Sequence, residues 1–223
     1  MTTPATPRRH IGLLGTGVVG ETLGTRLVSL GYQVFMGSRD ASNPKGSVWA
    51  KRAGGGARYG TFRQAAEFGE IVINATFGTA SLDVLKSAGA ENLNGKVLID
   101  AANALDLNTG ILAFGSDTSL GEQIQQAFPQ ARVVKSLNTM NVSMMMGQQS
   151  HPGHHNIFMA GNDANAKREV ARLLEDIGWR PDTIIDLGGI EAARGPEHYM
   201  ALFWRLYQAF GTLEFNISVL KKK

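Results

Sequence analysis

Residues 11–20 read IGLLGTGVVG, an apolar run that breaks into Gly15-Thr16-Gly17-Val18-Val19-Gly20 and passes into the helical pattern of residues 21–30. Strand, glycine turn and helix in that order form a dinucleotide-binding turn, because each glycine has its own task. Gly15 makes the sharp turn, Gly17 lets backbone approach a pyrophosphate, and Gly20 lets the helix pack on the strand. The pyrophosphate would rest on free N–H groups at the positive end of the helix.

The next strand, residues 32–36, runs into Gly37-Ser38-Arg39-Asp40. A site for NAD usually presents a carboxylate here to the ribose 2′-hydroxyl. Ser38 offers a hydroxyl instead, and Arg39 a charge-assisted fork for a dianionic 2′-phosphate, which a carboxylate would repel. NADP(H) is therefore expected rather than NAD. The alternative is that Asp40 serves the ribose and the Ser-Arg pair is plain turn surface. Lys45 is a second cation nearby.

Beyond these two strands the chain keeps alternating strand and helix. Residues 46–53 read as a short helix at best, followed by Gly54-Gly55-Gly56, a loop near the adenosine end or plain surface. Thr61 can cap a helix to residue 69, and residues 70–75 form an apolar strand of the kind buried on both faces. Thr76-Phe77-Gly78 follows at its carboxyl end, the edge where open α/β sheets bind ligands. Helix 81–88, strand 96–100 ending in Asp100-Ala101-Ala102-Asn103, helix 119–128 and strand 131–137 ending in Asn138-Thr139 continue the series. Strand 155–160, helix 164–178, strand 183–187 and an aromatic-rich helix from Pro196 to about residue 211 complete it. The expected fold is a Rossmann-type, doubly wound α/β sheet of seven strands, mostly parallel, with a small C-terminal helical appendage. We expect one domain from about residue 8, with a nucleotide-binding core of about 8–140 and a smaller part over about 141–223.

Composition narrows the function classes. The 223 residues are 43% hydrophobic and 18% charged, ordinary for a soluble α/β protein. The formal charge is +3, with basic residues scattered apart from Arg8-Arg9 and the terminal Lys221-Lys222-Lys223, a solvated end rather than a nucleic-acid or membrane surface. No apolar run reaches the roughly 18 residues that span a bilayer, and no signal peptide is evident, so a cytoplasmic protein with no nucleic-acid or membrane partner is expected. With no cysteine, disulfides, thiolate metal sites and a cysteine nucleophile are excluded.

His151, His154 and His155 lie around a Pro-Gly turn without a nearby carboxylate, which reads as a loop rather than a metal site. The run Met144-Met145-Met146 suits either a flat apolar pocket or plain core. Phe203, Trp204, Tyr207 and Phe210 have helical spacing and read as packing; a homodimer through this helix is compatible with the sequence. There is no nucleophile elbow and no pair of carboxylates at consecutive strand ends. Hydride transfer between two bound organic rings needs no protein acid or base at the carbon centres, only rings held in contact in a dry site. Neutral polar residues at strand ends, a nucleotide turn and an apolar second pocket fit that chemistry, with Asn103, Asn138, Thr139 and Met144 as candidates for the hydride pocket. Two other functions remain open. A reductase of a small carbonyl substrate would draw its acid from the histidines, whereas a non-enzymatic NADPH-binding sensor would bind nucleotide without turnover.

The set Gly15-Thr16-Gly17-Val18-Val19-Gly20, Gly37-Ser38-Arg39, VLIDAAN over residues 97–103 and VVKSLNT over residues 133–139 resembles the deazaflavin-dependent NADP oxidoreductase family. It is equally similar to the cytosolic NADPH-binding domain of the six-transmembrane metalloreductases. The resemblance implies that Thr16, Ser38 and Arg39 hold the 2′-phosphate. It also implies that Thr76, Phe77, Ala101, Asn103, Asn138 and Thr139 approach the nicotinamide and the second cofactor. Asn138 matches the metalloreductase pattern, where the archaeal deazaflavin enzymes carry a histidine. The second cofactor therefore stays open between a deazaflavin (coenzyme F-420) and a flavin (FMN or FAD).

Overall fold

Apolar residues at every second position of β1 (His10–Leu14) send Ile11 and Leu13 to one face of a sheet and Leu14 to the other, all of them buried. A computed structural model describes residues 9–106, 109–150 and 153–222. Among the described residues eight strands form one sheet in the order β3-β2-β1-β4-β5-β6-β7-β8. These are β2 (Gln33–Ser38), β3 (Ala57–Thr61), β4 (Ile71–Asn74), β5 (Val97–Asp100), β6 (Arg132–Ser136), β7 (Ile157–Ala160) and β8 (Ile184–Asp186). The first six strands of that order are parallel, and β7 runs antiparallel to β6.

Helices cover both faces. Buried residues of α1 (Val18–Ser29), α2 (Pro44–Ala53) and α6 (Ala164–Ile177) meet Ile11, Leu13, Val34, Ile73 and Ile99. Those of α3 (Phe62–Phe68), α4 (Ser81–Ala88) and α5 (Leu120–Ala127) meet Leu14, Val72, Leu98 and Val133. Two faces buried in this way explain the nearly continuous apolar strands. The last helix, α7 (Arg194–Phe210), packs Met200 and Phe203 against Leu105, Leu112, Leu213 and Phe215.

The chain runs outward from β1 through β2 to β3 and then crosses back to β4 on the other side of β1. That reversal opens a crevice at the carboxyl ends of β1 and β4, where doubly wound sheets bind their ligands.

Four details differ from the sequence expectations. The strand Ala57–Thr61 was not expected, so the sheet has eight strands rather than seven. Residues 44–53 form a ten-residue helix, started by Asn43, whose side chain accepts from the Lys45 N–H, and by Pro44 in the first turn. Residues 54–56 lie at the amino edge of the sheet, since the Gly56 carbonyl accepts from Val34 at the start of β2; they are remote from the ligand edge. The reversed β7 follows from the segment before it, whose short turns at Met144–Met146 and Gln148–Ser150 supply no crossover helix.

Candidate functional site

The glycine turn has the geometry its sequence requires. Gly15 sits at φ +121°, and a Cβ there would meet the Ala75 carbonyl oxygen at 2.5 Å. At Gly20 a Cβ would come within 2.2 Å of the Gly15 oxygen. Gly17 differs: it is exposed, and a side chain there would project into open space. It is the extended N-cap of α1 and supplies no side-chain cap, so the first N–H groups of the helix, at the exposed Val18 and half-buried Val19, are left for another acceptor. Thr16, half-buried, completes the turn.

At the end of β2 the Ser38 side chain is buried and donates to the Asp40 carbonyl at 2.5 Å. Arg39 is exposed, and no acidic group among the described residues pairs with it. Asp40 Oδ1 accepts from the Ser42 N–H (2.8 Å) and hydroxyl (2.9 Å), and these bonds hold its carboxyl below the usual carboxylate range. The carboxylate that could have served a ribose is thus engaged in its own turn, while the guanidinium is open.

Across the crevice, three strand ends are tied together. Beyond β4, Thr76 donates its hydroxyl to Asn74 Oδ1 at 2.7 Å, and Phe77 stands 69% exposed. A Cβ on Gly78 would strike the Asn103 carbonyl carbon at 2.2 Å, so this loop lies directly on the chain leaving β5. Asn103 and Asn138 bond reciprocally: Asn103 Nδ2 donates to the Asn138 carbonyl (2.7 Å), and Asn138 Nδ2 to Asn103 Oδ1 (2.9 Å). Ala101, Asn138 and Thr139 are buried beside them. Just before this pair, Leu137 has φ +69°, the one non-glycine positive φ among the described residues. A bulky residue in the left-handed region is uncommon and is typical of sites where the surroundings fix the backbone.

Beneath these ends lies a buried polar network. Asn74 Nδ2 donates to Asp100 Oδ1 (2.8 Å) and to the Ser81 hydroxyl (2.9 Å). Lys135, wholly buried, donates to Asp100 Oδ2 (2.8 Å) and the Ala102 carbonyl (2.5 Å) and pairs with Glu197 Oε1 (2.8 Å). Glu197, from α7, also accepts from the Leu120 and Gly121 N–H groups at the start of α5. Burial alone would lower the Lys135 ammonium; the two carboxylates outweigh it and hold it above its ordinary value.

The other candidates lie apart. Met144 is 1% exposed and packs in the core with Met145, so the core reading replaces the pocket reading for these two side chains. His154 is exposed, whereas His155 is buried edge-on to Trp179 with Nδ1 2.9 Å from Asn216 Nδ2, so the two do not converge; His151 lies outside the described residues. Among the described residues no cluster of acidic and histidine side chains could hold a metal ion, and no helix is long and apolar enough to cross a membrane.

Asn74, Asp100, Lys135, Leu137 and Glu197 were missed as site-forming residues. One signal was available: a lysine inside a strand expected to be buried on both faces must have a charged partner.

Residues 10–104 match the family model described as NADP oxidoreductase, coenzyme F420-dependent. The chain is 30% identical over 192 residues to the F420-dependent NADP reductase of Methanothermobacter marburgensis, covering 81% of this chain and 84% of that one. A crystal structure from Arthrobacter sp. FB24, described as a candidate F420-dependent NADP-reductase, is 43% identical, with a TM-score of 0.87 over 95% of this chain and 99% of that one. Rat metalloreductase STEAP3 is 28% identical over 84% of this chain but only 35% of its own length. The chain thus spans about a third of the metalloreductases it matches.

Proposed function

The chain belongs to the coenzyme F420-dependent NADP oxidoreductase family, and from that premise we propose that it moves a hydride between NADPH and a second flat ring, a deazaflavin or a flavin. The observation that carries the NADP half is the contrast at the end of β2, where Arg39 has no acidic partner among the described residues while Asp40 is taken up by Ser42. A dianionic 2′-phosphate would meet an exposed guanidinium there, with the neighbouring carboxylate bonded to Ser42.

In this reading the N–H groups around Gly15, Thr16, Gly17, Val18, Val19 and Gly20 hold the pyrophosphate, and Thr16, Ser38 and Arg39 the 2′-phosphate. Thr76, Phe77, Ala101, Asn103, Asn138 and Thr139 enclose the nicotinamide side. When bound, NADPH supplies the hydride and the second ring accepts it. The chain's own task is to orient and to exclude water, because transfer between two carbon centres requires contact and a dry site rather than a protein acid. Asn103 and Asn138, locked on each other, do not titrate and so keep one arrangement across the working pH range. Phe77, exposed beside them, offers a ring face to a flat partner.

Anaerobic oxidation of NADPH and of NADH, followed at 340 nm with a deazaflavin, with FMN or FAD, and with no acceptor, tests the reading. Rapid loss of NADPH with a deazaflavin or a flavin, and slow loss of NADH, is expected. Tight NADPH binding without turnover on any of these acceptors would overturn it.

A further inference from the structure

We propose that Lys135, Asp100 and Glu197 form a positioning unit through which the last helix sets the nicotinamide side of the crevice. The inference rests on the NADP reading above and adds residues that no ligand contact would reveal. Three ionised groups fully out of water are a poor device for stability alone, since apolar replacements of similar volume are often as stable or more so. What distinguishes this unit is what hangs from it.

Asp100 Oδ1 holds the Asn74 amide, which in turn holds the Thr76 hydroxyl, so the loop after β4 depends on it at two removes. Asp100 Oδ1 also accepts from the Ala102 N–H (3.2 Å), and Lys135 donates to the Ala102 carbonyl, which fixes the two peptides flanking Ala102, the residue before Asn103. Lys135 itself lies in β6, three residues before Asn138 in the segment that leaves that strand. Glu197 closes the unit from α7 and fastens α5 through its first N–H groups. Every one of these ties ends on the β4–β6 half of the crevice. The adenosine half is held separately, by the glycine turn and by the Ser38–Asp40 bond. Altering the unit should therefore loosen one half of the ligand and spare the other.

The test compares two ligands by calorimetric titration of the full chain. One is 2′,5′-ADP, which carries the adenosine and 2′-phosphate but no nicotinamide; the other is NADPH, whose bound nicotinamide fluorescence is read in parallel. The variants are Glu197→Gln, Lys135→Met and the double variant. Lys135→Met leaves two buried carboxylates facing each other and is the variant at risk of not folding; the double variant removes one negative charge along with the positive one and keeps the test open. Binding of 2′,5′-ADP should stay within about twofold of the unaltered chain, while NADPH binding weakens about tenfold or more and its fluorescence enhancement falls. A merely structural role would weaken both ligands by the same factor, and that result, like no change in either, overturns the inference. An unaltered chain that binds neither ligand contradicts the NADP reading and the inference with it.

Discussion

Among the described residues the guanidinium of Arg39 has no acidic partner to give up, so a 2′-phosphate would gain it without breaking such a pair. A hydrogen bond to a charged group contributes about 1.5–3 kcal/mol, so Arg39→Ala should weaken NADPH roughly 10- to 100-fold and leave NADH nearly unchanged. Parallel titrations check this, and an equal loss for both nucleotides contradicts the assignment. Leu137 poses a contest between two costs. Its side chain is 2% exposed in the core, yet its backbone sits at φ +69°. Losing the buried side chain costs about 2–5 kcal/mol and the left-handed backbone only about 1–2, so packing wins and holds the strain in place. Both Leu137→Ala and Leu137→Gly should be destabilised, but glycine by about 1 kcal/mol less, the reverse of the order expected at an ordinary buried position. Urea unfolding decides, and an alanine variant as stable as the glycine one would sink the argument. The position of Ser38, Arg39, Asn103 and Asn138 at the ends of strands was legible in the sequence, because a polar residue at the end of an apolar run announces itself. The strain at Leu137 has no compositional sign. Asp100 and Glu197, 97 positions apart, meet only through their shared partner Lys135, which no local pattern announces.

Strands buried on both faces were readable from their apolar runs, whereas β3 was not. Its sequence ARYGT includes a glycine, exposes Arg58 and Tyr59, and lies at the sheet edge, so neither a continuous nor an alternating apolar pattern marks it. The helix α2 was understated for a related reason: Gly46 lowers its apparent propensity, while the Asn43-Pro44 start signal points the other way. Thr61 shows how much such a local signal can carry. It accepts from the Gln64 N–H as Gln64 Oε1 accepts from the Thr61 N–H, a reciprocal cap on the seven-residue α3, which packs Phe62, Ala65 and Ala66 into the core. Thr61→Ala should lower the unfolding free energy by about 1 kcal/mol. Urea unfolding checks this, and an unfolding free energy equal to that of the unaltered chain would contradict the cap on Thr61, the strand partner of Ser38 at the carboxyl edge of the sheet.

Ion pairs stitch the strand–helix layers together and give the fold a pH dependence whose sign is fixed. Glu169 bridges Arg9 and Arg132, joining α6 to the start of β1 and to β6, and Glu122 pairs with Arg194, joining α5 to α7. At Glu169 burial opposes the arginines and is outweighed; at Glu122 the Arg194 bond dominates, and both carboxyls lie below the ordinary value of about 4.5. A carboxyl lowered by folding stabilises above its unfolded value, and the benefit is lost as the pH falls through the folded value. Lys135, raised by its carboxylates, stabilises below the ordinary lysine value and loses this only at strongly alkaline pH. The urea midpoint should therefore be flat from about pH 6 to 9 and drop below about pH 4.5; a midpoint rising toward acid would contradict these pairs. The order of six parallel strands opens a crevice between β1 and β4, and in the proposed function the adenosine half would lie over one side and the reacting ring over the other. Direct hydride transfer across that crevice is the central claim, and an isotope tests it most directly. NADPH carrying deuterium at nicotinamide C4, prepared in each of its two stereochemical forms, would be mixed anaerobically with a deazaflavin, which keeps the transferred hydrogen on carbon. Mass spectrometry of the reduced deazaflavin should find the deuterium retained from one form and absent from the other. Loss of label to water from both forms, or no consumption of NADPH by a deazaflavin, FMN or FAD, would contradict the account.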